Sequence, residues 1–264
     1  MTKSWLNLEE RVCVITGAAG GIGRAIAHAL SEVGAIPVLI DLQLDAAKEA
    51  AAGLPGQSLA IGCDISVEDE VYAAREKVMQ AFGRCDVLVN NAAVLRPKAL
   101  IDSRLADWQA GLAINLGGYY LCSRIFGEEM LSREAGAIVH VGSIASHFPQ
   151  PNALDYSASK AAILALSQQI AVEWGARGIR SNVVNPGMIQ TPMTSKLNAD
   201  PAVVAKRASM TASGRIGRPE DIANIVAFLA SDRSAYVNGA ELMATGGLHS
   251  MLMSLIPQPG LKKN

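Results

Sequence analysis

Short aliphatic runs alternate with helix-like stretches along most of the chain. The runs are "VCVIT" (12–16), "IPVLID" (36–41), "SLAIGCD" (58–64), "VLVNN" (87–91), "AIVHVGS" (137–143), "IRSNVVNP" (179–186) and "AELMAT" (240–245). The stretches 22–33, 45–52, 67–82, 103–132, 157–176 and 220–230 between them carry helical patterns. Few folds satisfy such an alternation. Strands this apolar must be covered on both faces, and the intervening helices do the covering through right-handed crossovers. The expectation is an α/β chain built on a doubly wound parallel sheet of about seven strands, with residues 1–264 as one domain.

Composition agrees with an aliphatic core, because half the residues are hydrophobic and only 5% are aromatic. The formal net charge is −1, with acids and bases interspersed. No basic stripe suits nucleic acid and no polybasic segment suits a membrane surface. Nor does any apolar stretch reach the ~18 uninterrupted residues of a membrane helix. Cys13, Cys63, Cys85 and Cys122 lie inside apolar runs without a CxxC or a zinc spacing, so they read as buried reduced thiols. The stretch 1–12 resembles neither a signal peptide nor a transit peptide. The expectation is a soluble, cytoplasmic protein.

"TGAAGGIGR" (16–24) joins the first strand to the first helix. Glycines between a strand and a helix let backbone N–H groups approach a pyrophosphate at the helix N-terminus. The spacing Gly17-x-x-x-Gly21-x-Gly23 is neither GxGxxG nor a P-loop. Taken alone, it also fits a plain strand–helix turn. Asp41, at the end of the second strand, sharpens the first reading, since an acid there accepts the ribose hydroxyls of an adenosine. Its plainer reading is a cap for helix 45–52. A carboxylate at Asp41 would repel a 2′-phosphate about 4 Å away by several kcal/mol at an effective dielectric near 20. Ala18, Ala19 and Leu42 offer no compensating cation, so NAD is favoured over NADP.

"DYSASKAAILAL" opens another helix, with Tyr156 and Lys160 one turn apart on one face. A neighbouring ammonium favours the phenolate of a tyrosine whose free pKa is near 10, which suits an acid/base pair. Ser143 ends the strand run 137–143, at the carboxyl edge where open α/β sheets bind ligands.

These features together resemble the classical short-chain dehydrogenase/reductase family over about residues 10–247. Thr16–Gly23 is similar to its glycine motif, "NNAA" (90–93) to its NNAG with Ala93 in place of the glycine, and "NPGMIQTPM" (185–193) to its PG segment. "CDIS" and "GRIGRPEDIA" (214–223) also fall in place. The resemblance implies a Rossmann-type fold and the catalytic set Asn115, Ser143, Tyr156 and Lys160. Tyr156 would exchange the proton, and Lys160 would lower the tyrosine pKa and bind the nicotinamide ribose. Ser143 would position the substrate oxygen, and Asn115 would hold a water. Outside that set, Asn115 reads as a polar kink beside Gly117 and Gly118. Cofactor contacts are implied for Gly17, Gly21, Ile22, Gly23, Asp41, Leu42, Asp64, Ile65, Asn91, Ala92, Tyr156, Lys160, Pro186, Gly187, Ile189 and Thr191.

Substrate contacts are expected from Ser143, Ala145, His147, Leu154, Tyr156, Met188 and Met193. The plainer reading of His147 is an exposed loop residue. The stretch 186–218 lacks clear periodicity and reads as a lid, and the apolar half of the tail 249–264 needs a surface to cover it. The reading is an NAD-dependent oxidation of a secondary alcohol to a ketone. The alternatives are an NADPH-dependent 3-oxoacyl thioester reductase and, in another class, a non-catalytic NAD-binding sensor or scaffold. Small residues on helices 103–132 and 157–176 suit the pairing seen in similar proteins, which implies a homotetramer.

Overall fold

The structure, a computed structural model, describes residues 5–194 and 199–256. Seven parallel strands form one sheet in the order β3-β2-β1-β4-β5-β6-β7. They are β1 (Val12–Thr16), β2 (Ile36–Asp41), β3 (Leu59–Gly62), β4 (Val87–Asn90), β5 (Gly136–Val141), β6 (Ile179–Pro186) and β7 (Glu241–Ala244). Helices α1 (Gly21–Glu32), α2 (Leu44–Ala52) and α8 (Pro219–Ala230) cover one face; α3 (Glu68–Phe82), α5 (Gly118–Ser132) and α6 (Asp155–Trp174) cover the other. Side chains of a strand alternate between faces. Cys13 and Ile15 of β1 therefore enter the core under α1 and α8, and Val12 and Val14 enter the core under α3 and α5. Burial on both faces is why "VCVIT" is apolar without a gap. All four cysteines are buried and free, as their apolar settings suggest.

Two stretches differ from the sequence reading. Residues 103–132 are not one helix. They divide into α4 (Leu105–Leu112), a π-helical turn (Ala113–Gly117) and α5. The wider turn sits where the Asn115 side chain leaves the helix to bond the Val94 backbone, accepting from its N–H at 2.8 Å and donating to its carbonyl at 2.9 Å. Gly118 then passes so close to Ile65 that a β-carbon would lie 2.5 Å from Ile65 Cδ1. The second stretch, 186–218, contains helix α7 (Pro201–Ser209), started by Pro201 and by the Asp200 side chain, which accepts from the Ala202 N–H at 2.8 Å. Helix α7 buries no residue fully, so it leaves no apolar stripe to read. Residues 195–198 of that stretch lie outside the described residues.

Beyond β7 the chain makes two short 3₁₀ turns, Leu248–Ser250 and Leu252–Leu255, with Leu252 and Met253 exposed. The remainder of the apolar tail, 257–264, lies outside the described residues. Among the described residues no helix is long and apolar enough to cross a membrane. The strand order reverses between β1 and β4, the switch point at whose carboxyl edge open α/β sheets form a ligand crevice.

Candidate active site

The crevice holds a cleft of about 290 Å³. Its first wall is the loop between β1 and α1, from which Gly17, Gly21 and Ile22 line the space. Gly17 has φ +63°, and a β-carbon there would lie 2.7 Å from Ala92 Cα, so both conformation and space require glycine. Gly23 lies behind the wall, where a β-carbon would lie 2.7 Å from Asn91 Nδ2. That nitrogen donates to the carbonyls of Thr16 at 2.9 Å and Gly17 at 3.0 Å. The Thr16 hydroxyl in turn accepts from the N–H groups of Asn91 at 3.0 Å and Ala92 at 3.1 Å. The loops after β1 and β4 are thus stitched together, with Asn91 and Ala92 facing the cleft. Ala93, where the related motif has glycine, also lines it.

Asp41 leaves β2 beside this loop. Its carboxylate accepts from the Ala19 N–H at 3.0 Å and from the Gln43 N–H at 3.0 Å. The acid thus braces the glycine loop and the turn into α2, whose N-cap is Gln43. Leu42 is exposed beside it. Asp64 uses its carboxylate on the N–H of Ser66 at 2.9 Å and its hydroxyl at 2.6 Å. The Ile65 side chain is buried under Gly118. Any contact of Ile65 with a ligand must come from its backbone.

The opposite wall rises from β5 and α6. Ser143, Tyr156 and Lys160 line the cleft together. Ser143 is held from behind, its N–H donating to Asn185 Oδ1 at 2.9 Å. Burial raises the Tyr156 pKa, and a hydrogen bond from Ser143 opposes the rise. Lys160 is almost wholly buried, and burial lowers its pKa to about 7. Its Nζ lies 5.7 Å from the Tyr156 ring centre and donates elsewhere, to the Tyr119 hydroxyl at 2.9 Å and the Val141 carbonyl at 2.8 Å. Lys160 therefore stands near the Tyr156 ring with its bonds made to Tyr119 and Val141, and Ser143 makes the hydrogen bond that opposes the rise in the tyrosine pKa.

The segment after β6 closes the cleft, contributing Pro186, Gly187, Ile189, Thr191 and Met193. Four of the expected substrate residues do not line this space. Ala145 is buried behind it. His147 turns away to Glu241 of β7, with Nε2 2.6 Å from the carboxylate. Leu154 is the N-cap of α6, with φ +48°. Met188 lines an adjoining hollow with Ser213 and Arg215. Asn115 is fully buried and does not line the cleft; besides the Val94 backbone, its amide donates to Asp155 at 3.0 Å.

Three residues escaped the sequence reading: Tyr119 beneath Lys160, Asp155 beside Asn115, and Asn185 behind Ser143. Asp155 and Asn185 stood inside the quoted motifs "DYSASK" and "NPG". Tyr119 stood in "GGYY", where nothing distinguishes one tyrosine from the next.

The cleft fits a dinucleotide. The wall formed by Gly17, Gly20 and Gly21 presents backbone to the cleft at the N-terminus of α1. The other end offers a hydroxyl, a phenol and an ammonium.

A family model described as enoyl-(acyl carrier protein) reductase matches residues 17–249. The 3-oxoacyl-[acyl-carrier-protein] reductase FabG of Thermotoga maritima is 38% identical over 246 residues, covering 92% of this chain and 99% of its own. The cis-4-hydroxycyclohexanecarboxylate dehydrogenase of Sinomonas cyclohexanicum is 41% identical over 242 residues, covering 90% of this chain and 96% of its own. A crystal structure of a short-chain type dehydrogenase/reductase from Mycobacterium marinum superposes with a TM-score of 0.86 at 30% identity, covering 92% of this chain and 97% of that one.

Proposed function

The chain belongs to the short-chain dehydrogenase/reductase family of oxidoreductases, and on that premise we propose that it oxidises a secondary alcohol to a ketone with NAD. The observation that carries this reading is the convergence of Ser143, Tyr156 and Lys160 in one cleft with the glycine loop. The cofactor, when bound, supplies the hydride acceptor.

The side chains supply the rest. Ser143 and Tyr156 face the same space, so one substrate oxygen can bond to both hydroxyls. Tyr156 takes the proton of the alcohol as the carbon gives up its hydride. Its burial makes the phenolate costly, so the transfer depends on the Ser143 hydrogen bond and on a charged Lys160 beneath. Ile189, Pro192 and Met193 give the cleft an apolar side that excludes water from the reacting carbon.

The preference for NAD rests on Asp41. Its carboxylate stands against the glycine loop, and residues 18–20 and 42 are Ala, Ala, Gly and Leu. A 2′-phosphate brought to that corner meets a negative charge with no cation among these positions to offset it. The Sinomonas relative, named for the oxidation of a ring alcohol, supports the oxidative direction.

The second reading is reduction of a 3-oxoacyl thioester, which the Thermotoga relative favours. The same residues would then act in reverse. The test is NADH formation across a panel of secondary alcohols, run in parallel with NADP and with 3-oxoacyl thioesters in the reverse direction. Turnover with NAD that falls by about three orders of magnitude in Tyr156→Phe supports the proposal. A preference for NADPH and thioester would establish the second reading. Retention of the biological role by Tyr156→Phe would leave a cofactor-binding sensor or scaffold.

A further inference from the structure

Tyr119 lies on α5, one turn beyond Asn115, and is wholly buried against Ile163 of α6 and Val183 of β6. Its hydroxyl donates to the Val141 carbonyl at 3.0 Å and accepts from Lys160 Nζ at 2.9 Å. Lys160 Nζ donates to the same carbonyl at 2.8 Å. The three groups close a ring of hydrogen bonds under the cleft. The ring of His140 stacks on that of Tyr119, with centres 5.9 Å apart and planes 18° apart, and fixes the phenol from its other side.

The core does not need this oxygen. Phenylalanine would fill the same volume, and Val141 would keep Lys160 as its donor. The one service of the hydroxyl that nothing else duplicates is to the lysine.

We propose that Tyr119 is a positioning residue of the hydride-transfer site, its hydroxyl seating the Lys160 ammonium at the floor of the cleft; this rests on the reading of Ser143, Tyr156 and Lys160 given above. An ammonium has three N–H groups. Tyr119 and Val141 take two, which leaves the third for the cleft. A phenol oxygen that accepts from an ammonium favours its charged form and so opposes the effect of burial. The titratable groups around Lys160 are Tyr119, Tyr156 and His140. Burial pushes both phenols upward and keeps His140 neutral down to about pH 3. None of the three is an anion at neutral pH, so accepting oxygens hold the charge in place.

The test needs no substrate. Tyrosine ionisation is followed by ultraviolet difference absorbance in the wild type, Tyr119→Phe, Tyr156→Phe and Lys160→Met, with Tyr120→Phe as a half-exposed control. The step lost in Tyr156→Phe identifies Tyr156. In Tyr119→Phe that step moves up by about one pH unit, a tenfold change in ionisation constant, in line with loss of a hydrogen bond to a charged group. On a Lys160→Met background, Tyr119→Phe then adds no further shift. A Tyr156 step that stays in place in Tyr119→Phe, or moves equally without Lys160, overturns the proposal while leaving the reading of Tyr156 intact. Absence of any step assignable to Tyr156 would overturn that reading and this proposal with it. Should Tyr119→Phe not fold, 3-fluorotyrosine at position 119 keeps the shape with a weaker acceptor and shifts the step in the same direction; no shift overturns the proposal.

Discussion

The Asn115 side-chain amide donates to the Asp155 carboxylate at 3.0 Å and ties the π turn to the first turn of α6. Asp155 immediately precedes Tyr156, so this bond holds the tyrosine's helix against the segment that carries Asn115. The carboxylate is buried, and it fits because α4 has no side chain at Gly111, where a β-carbon would overlap it. Gly111→Ala is therefore expected to destabilise the protein by about 1–3 kcal/mol through overpacking. Urea unfolding of the two single mutants and of Gly111→Ala/Asp155→Ala checks this. The double mutant should lose less than the sum, because removing the carboxylate vacates the space the new methyl needs.

Coenzyme choice is predicted to reside at Asp41 and to be movable through Gly20. Gly20 has φ −156°, which any residue adopts, and a β-carbon there meets no atom within 4 Å. Gly20→Arg combined with Asp41→Ala replaces a repelling charge with an attracting one. The ratio of kcat/KM for NADP to that for NAD should rise by at least about a hundredfold, given a change of several kcal/mol at this range. Parallel kinetics with the two cofactors measure it.

His140 makes stability fall in acid. It is wholly buried between Asn90 and Ser181, and burial lowers its pKa from 6.5 to about 3. Below pH 6.5 the unfolded chain takes up a proton that the folded chain refuses, so this contribution is present above pH 6.5 and is lost as pH falls toward 3. Thermal melts from pH 7.5 to pH 4 should show a steeper decline in the wild type than in His140→Gln, whose own melting temperature is lower at neutral pH.

Assembly is expected to be a homotetramer. Leu105, Tyr120 and Val172 on α4, α5 and α6 are exposed in the single chain, as are Leu252 and Met253 near the tail. Light scattering should return close to four times the 27.7 kDa chain mass. Val172→Arg, which sets a charge on that surface, should lower it. A mass of one chain for the wild type would refute the expectation.

What was legible in the sequence follows from local rules. A central strand buried on both faces must be apolar, as β1 is throughout, and seven largely aliphatic runs announced the sheet. Glycines 17, 21 and 23 were visible because close approach at 17 and 23 and a positive φ at 17 and 21 disfavour a β-carbon. The spacing of Tyr156 and Lys160 is the helical repeat itself. Each of these signals is written over a few neighbouring residues.

Partners across the sheet were not written that way. Tyr119 and Tyr120 are adjacent and chemically identical, yet one is wholly buried against Lys160 and the other is half-exposed. Helix α5 has buried residues around much of its circumference, so no stripe marks which side meets α6. Asp155 looked like an ordinary helix-starting acid until Gly111, on another helix, opened a place for its carboxylate. His147, expected at the substrate, instead found Glu241 on β7. Local sequence carried the seven strands, most of the helices and the residues that stand at the carboxyl edge, because backbone geometry and burial act residue by residue. Only the tertiary structure decided which polar groups meet, because those pairings depend on how distant helices pack across the sheet.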